Sequence, residues 1–140
     1  MTRIKTHATI CNMAHITYQS LMDTEAMFRA LADRTRLRVA RLLFIAGEAT
    51  VCELVDALQV PQYSVSRHLS ILRHAGIVSD RREGAWRYYS INPKADSFLD
   101  ELLHLIGDHL QEELLVRDLA LFKDRLALRV DGKCMLGNDA

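Results

Sequence analysis

The chain has 140 residues, is 49% hydrophobic and 26% charged, and balances 18 basic against 18 acidic residues. That length suits one domain with a modest core, and that apolar content excludes a disordered chain. No apolar run is long enough to span a bilayer, and the opening "MTRIKTHATICNMAHIT" lacks the apolar block of a signal peptide, so a cytoplasmic protein without a membrane partner is expected.

The zero net charge hides an asymmetry. Residues 34–90 carry nine arginines against five acidic residues, a balance of +4, and the rest of the chain carries the compensating −4. A basic middle inside an acidic frame is what a local phosphate-binding face produces. Three cysteines, Cys11, Cys52 and Cys134, are far apart with no CxxC spacing. An odd, scattered set argues against a disulfide framework, so any joint site must be built by folding or dimerisation.

In chain order, residues 1–17 read as a flexible N-terminal arm. Residues 18–129 read as one domain, and 130–140 as a mobile C-terminal tail. "YQSLMDTEAMFRAL" is predicted helical, with Leu21, Met22, Phe28 and Leu31 as its apolar stripe. Asp33 caps a second helix ended by Gly47, with Leu37, Ala40, Leu43 and Phe44 facing inward. Thr50 followed by Glu53 has the capping-box spacing for a short third helix, "VCELVDALQ", with Val51, Leu54, Val55 and Leu58 inward. Pro61 opens a fourth helix that Gly76 ends. "GIVSDRREGAWRYYSI" then alternates around Glu83-Gly84 as a β-hairpin. From Pro93 a leucine-rich stretch is expected to run as one helix to about residue 129. It is too apolar for a lone helix and calls for a second copy of itself.

The fold class that follows is mostly α (α+β), with elements in the order α-α-α-α-β-β-α and the last helix paired with a second copy of itself. Two short helices joined by "LQVP" make a helix-turn-helix, whose second helix fits the major groove of double-stranded DNA. Val65, Leu69 and Leu72 form the inward stripe of that helix. Gln62, Tyr63, Ser64, Ser66, Arg67 and His68 are left on the outward and N-terminal faces for bases and phosphates. The hairpin adds Arg81, Arg82 and Arg87 for the flanking backbone or minor groove. Two other classes are weighed. An enzyme would pair Cys52 with His68 or His74 as thiolate and imidazole, but no Gly-rich phosphate loop, acidic pair or nucleophile elbow accompanies them. An interaction module would dimerise through its leucines without touching DNA.

The segments "ALADRTRLRVARLL", "VCELVDAL", "SVSRHLSILRHAGIV" and "REGAWRYYSI" together closely resemble the ArsR/SmtB family of metal- and metalloid-responsive repressors, over about residues 20–115. The resemblance implies a winged helix-turn-helix repressor, a homodimer through its first and last helices, that leaves its operator when an inducer binds. One family site on the third helix resembles "ELCVCDL". Here the residues are "EATVCEL", so Thr50 replaces the first cysteine and only Cys52 remains. A family zinc site on the last helix would map to Asp96, Phe98, His109 and Glu112. Phe98 cannot ligate, so zinc at Asp96, His109 and Glu112 is not expected. Some relatives combine thiolates of an N-terminal arm with the third helix. That pattern points to Cys11 and Cys52, with Cys134 as a third sulfur, and to As(III) or Sb(III) as inducer. Cadmium, lead or zinc, thiol oxidation, and a purely packing role for Cys52 are the alternatives.

Overall fold

The computed structural model describes residues 20–95 and 97–135. Its elements in chain order are α1 (Leu21–Leu31), α2 (Arg34–Ala46), β1 (Glu48–Ala49), α3 (Val51–Leu58), α4 (Gln62–His74), β2 (Val78–Glu83), β3 (Trp86–Ile91), α5 (Ser97–His109) and α6 (Glu113–Leu126).

Local chemistry sets the ends of the central helices. The Asp33 carboxylate accepts the Arg36 amide at 3.0 Å and starts α2, and Gly47 ends it. Thr50 and Glu53 form the capping box of α3, each side chain accepting the other's backbone N–H. At the end of α4, the Ile77 amide donates to the Leu72 carbonyl and the Gly76 amide to that of Arg73. Gly76 sits at φ +77°, the left-handed conformation this Schellman closure needs. The chain then enters β2, which pairs antiparallel with β3 in a register that sets Arg81 opposite Tyr88. The two-residue β1 adds to the other side of β3, giving the sheet order β1-β3-β2.

The core lies where α2, α3, α4 and α6 meet the base of the sheet. Leu42, Leu54, Leu58, Leu69, Leu72, Ile77 and Phe122 are fully buried there. The inward stripe of α4 is Val65, Leu69 and Leu72, as the spacing predicts.

Four expectations need correction. The leucine-rich stretch after Pro93 is two helices rather than one, interrupted at residues 110–112. The break lets α6 fold back and bury Leu115 and Phe122 in its own chain, while Phe98 and Leu105 of α5 stay exposed. Pro93 lies in a turn and α5 begins at Ser97. On α1 the buried side is Met27, Ala30 and Leu31, while Leu21, Met22 and Phe28 are exposed. The helical period was right but its phase was set by packing on α2. Finally, β1 is an additional strand, too short to leave an alternation signal.

Charged groups fasten α6 in place. Asp118 is fully buried and receives two hydrogen bonds from the Arg38 guanidinium of α2, at 2.7 and 2.8 Å, while Arg38 also donates to the Leu58 carbonyl at 2.8 Å. Arg125 reaches Asp56 on α3 at 2.7 Å. Just beyond α6, Arg129 holds Glu53 at 2.7 and 2.8 Å. Removing one partner of a buried pair strands the other charge, which costs about 3–5 kcal/mol. Asp118→Ala is therefore expected to lower the thermal midpoint, read by circular dichroism, by roughly 10 °C or more. A midpoint indistinguishable from that of the unsubstituted chain would show that the pair does not hold α6.

Candidate DNA-reading face and thiol pair

Helix α4 presents the polar face expected of it. Tyr63, Ser66 and Arg67 are exposed, and Gln62 and Ser64 are half-buried at the helix start. Pro61 is the N-cap and offers no side-chain acceptor. The backbone bonds resume at Ser64 and Val65, which both donate to the Pro61 carbonyl, so the first amides of the helix face outward for a phosphate.

His68 does not join this face. It is buried, with Nδ1 3.2 Å from the Arg36 guanidinium and 3.9 Å from Asp33. Burial pushes its pKa down despite the nearby Asp33, which keeps the ring neutral at physiological pH. Position 68 falls one turn from Val65 and Leu72, so it shares their stripe, and its polarity misled the reading of the sequence. His74 instead lies within hydrogen-bond distance of the Ser70 carbonyl, at 2.8 Å.

All three wing arginines are exposed, but their partners differ. Arg81 is held by Glu48 at 2.6 and 3.1 Å. Arg87 and Arg73 both approach Asp80 at 3.4 Å. Among the described residues, Arg67 and Arg82 have no carboxylate partner, which leaves them the most available cations of the α4 and wing surface.

The structure brings Cys52 and Cys134 together. Their sulfurs are 3.8 Å apart, across the contact of α3 with the segment after α6. Cys52 is the second residue of α3, fixed by the capping box. Cys134 is placed by a tight turn: Asp131 and Gly132 both have positive φ, at 52° and 74°, and Val130 and Lys133 exchange two backbone hydrogen bonds. This is the behaviour of an Asp-Gly two-residue hairpin turn. Residues 130–135 are therefore a built return of the chain rather than a mobile tail, and the dipeptide Asp131-Gly132 was the available sequence signal.

Around the sulfurs, the Thr50 hydroxyl lies 3.1 Å from Cys52 and 3.5 Å from Cys134. The Arg125 guanidinium is 3.9 Å from both. The Cys134 amide donates to the Tyr88 hydroxyl at 2.9 Å. Burial pushes the Cys134 thiol up. Arg125, Arg129 and Tyr88, which frame the pair, carry no metal-site spacing and were not read from the sequence.

Cys11 lies outside the described residues, as does Asp96 of the degraded zinc pattern. His109 ends α5 and Glu112 precedes α6, both exposed. No group of three or more His, Cys, Asp or Glu able to hold a metal occurs among the described residues, and no described helix is long and apolar enough to cross a membrane.

Glu53 links this site to stability. Burial opposes its charged form, but the Arg129 and Thr50 hydrogen bonds outweigh burial and hold its carboxyl below the usual range. A depressed folded pKa contributes stability above the unfolded value, lost as pH falls through the folded one. Glu53→Gln is expected to flatten the loss of stability below about pH 4.5 in urea titrations at stepped pH. An unchanged acid limb would show that Glu53 is not its source.

Comparison with known proteins agrees with this geometry. The profile of the bacterial regulatory protein arsR family matches residues 33–80, from the cap of α2 into the wing. An arsenic resistance transcriptional regulator of Pseudomonas putida is 42% identical over 96 residues, covering 69% of this chain and 75% of the relative. The arsenical resistance operon repressor of Escherichia coli is 38% identical over 96 residues, covering 67% and 82%. Among solved structures, the transcriptional repressor PagR of Bacillus anthracis superposes with a TM-score of 0.56 at 27% identity, covering 64% of this chain and 99% of that one. With its helix-turn-helix, its wing and these relatives, the chain belongs to the arsR family of bacterial regulatory proteins, which are DNA-binding transcription regulators and not enzymes.

Proposed function

We propose that this chain is a homodimeric repressor that releases its operator when As(III) or Sb(III) is bound by Cys52, Cys134 and the arm cysteine Cys11. The 3.8 Å spacing of the Cys52 and Cys134 sulfurs carries this reading. At 3.8 Å the two sulfurs are in van der Waals contact, so a small closure by one of them lets both bond a single pyramidal As(III) centre. A disulfide would need the sulfurs much closer, at about 2.05 Å.

The thiol chemistry favours a metalloid over a divalent cation. Burial disfavours loss of the Cys134 thiol proton. A divalent metal must expel that proton to the solvent. Arsenous acid condenses with it instead: a sulfur–arsenic bond forms, an arsenic–oxygen bond breaks, and the thiol proton leaves in the water released. Arsenic also takes three sulfurs, and Cys11 is the remaining cysteine of the chain. The names of the Pseudomonas and Escherichia relatives support the same inducer class.

Operator binding is assigned to Gln62, Tyr63, Ser64, Ser66 and Arg67 of α4, with Arg81, Arg82 and Arg87 of the wing. The dimer is assigned to α1 and α5. Phe28 of α1 meets Phe98 of α5 edge-on with ring centres 6.0 Å apart, and Leu21, Met22 and Leu105 extend this apolar face to the solvent. Large apolar side chains exposed on two helices in contact mark an interaction surface. Leu105→Glu is expected to shift the chain from dimer to monomer in analytical ultracentrifugation at micromolar concentration. An intact dimer would move the interface elsewhere.

The test of function is fluorescence anisotropy of labelled DNA from upstream of the gene, titrated with each ion at several salt concentrations. Operator binding is expected to weaken steeply with salt. Arsenite and antimonite are expected to release the DNA, zinc to leave it bound, and Cys52→Ser and Cys134→Ser to retain binding but resist release. Release of the Cys52→Ser protein by arsenite would overturn the thiol site. Release by peroxide alone would assign the pair to oxidation instead.

A further inference from the structure

Tyr88 stands where the thiol pair meets the wing. It is the buried side chain of β3, 1% exposed, and packs with Cys52, Cys134 and the half-buried Trp86 in a cluster separate from the main core. A buried tyrosine needs a partner for its hydroxyl, and this one accepts the backbone N–H of Cys134 at 2.9 Å. The other end of the interaction is the wing. Tyr88 is the cross-strand partner of Arg81, whose guanidinium lies 4.6 Å from the ring centre, and the Arg129 guanidinium lies at 5.6 Å. Arg129 in turn holds Glu53, the neighbour of Cys52, and donates to the Glu48 carbonyl at 2.9 Å, while the Glu48 carboxylate holds Arg81. A closed ring of contacts therefore runs from the sulfurs through Tyr88 to a wing cation and back.

We propose that Tyr88 is the positioning residue that passes occupancy of the Cys52–Cys134 pair to Arg81 and the wing. The proposal rests on the reading of that pair as the inducer site. Cys52 is anchored in the capped first turn of α3, whereas Cys134 hangs from a turn after the last helix. Bonding of both sulfurs to one centre must be accommodated first by Cys134. Its amide sits on the Tyr88 hydroxyl, so a shift of Cys134 displaces the phenol. The ring under Arg81 moves with it, changing how that arginine is presented to the DNA backbone. A residue that merely fills the core would change stability or arsenite affinity. It would not change the ratio between operator affinities with and without arsenite.

The experiment compares the full chain with its Tyr88→Phe variant, which keeps the ring and loses the hydroxyl. Arsenite occupancy is read by protection of Cys52 and Cys134 from alkylation on rapid unfolding in denaturant, where both otherwise buried thiols of the arsenite-free chain react, detected by mass spectrometry. Operator affinity is read by anisotropy, and the response of the wing by emission of Trp86, the single tryptophan of the chain. In the unsubstituted chain, arsenite is expected to weaken operator binding about 10-fold or more and to shift Trp86 emission. In Tyr88→Phe, operator affinity without arsenite is expected to stay within about 2-fold, protection to persist, weakening to shrink to about 3-fold or less, and the Trp86 response to be lost. A protected Tyr88→Phe protein released as fully as the unsubstituted chain overturns the role of Tyr88 and leaves the thiol site standing. An unsubstituted chain whose thiols are protected but whose operator stays bound overturns the inducer reading, and this proposal with it. Should the variant not fold, the unsubstituted chain still decides: unmoved Trp86 emission with both thiols protected refutes the route.

Discussion

Three arginine–carboxylate pairs join the end of the chain to its middle, and the rest of the site depends on them. Asp118 enters the core already neutralised by Arg38, and Glu53, fully buried, is matched by Arg129. Such pairs add little net stability against an apolar alternative, because desolvation offsets much of the attraction. Their contribution is specificity: α6 has one seat in which Asp118, Asp56 and Glu53 each meet an arginine. That seat places residue 134 beside residue 52.

The same economy of charge shapes the DNA face. The excess arginine of the middle segment is not spread evenly over the surface. Arg38 is consumed in the core, Arg41 donates to the Leu115 carbonyl, and Asp80 restrains both Arg73 and Arg87. Net charge by segment therefore overstates the cations free to meet phosphate, and pairing decides which remain. Among the described residues of α4 and the wing, Arg67 and Arg82 are left without a carboxylate partner.

Local signals were read correctly wherever a short-range interaction determines the structure. Asp33, Thr50 with Glu53, Gly47 and Gly76 all act within four residues, so caps and helix ends follow from the string alone; the hairpin does too, although its turn is Gly84-Ala85, one residue beyond the expected Glu83-Gly84, because Glu83 pairs with Trp86. Errors arose where a distant partner sets the outcome. His68 looks like a polar contact residue until the Arg36 and Asp33 side chains beneath it are known. The stripe of α1 has the right period, yet α2 rather than hydropathy decides which side is covered. The leucines after Pro93 read as one helix because nothing local at residues 110–112 forbids continuation. The chain breaks there because α6 gains more by packing Phe122 and Asp118 against its own core.

By itself, the sequence determined the helix-turn-helix, the wing and the inward stripe of α4, because those rest on helical period, caps and turns that act over a few residues. It also determined which residue types were available for a soft ligand. Only the tertiary structure decided that Cys52 meets Cys134, that Arg125, Arg129 and Tyr88 surround them, and which arginines remain unpaired. Those contacts join positions up to about eighty residues apart in the chain. Their geometry comes from the docking of α6, a balance of burial and charge that no local window of sequence contains.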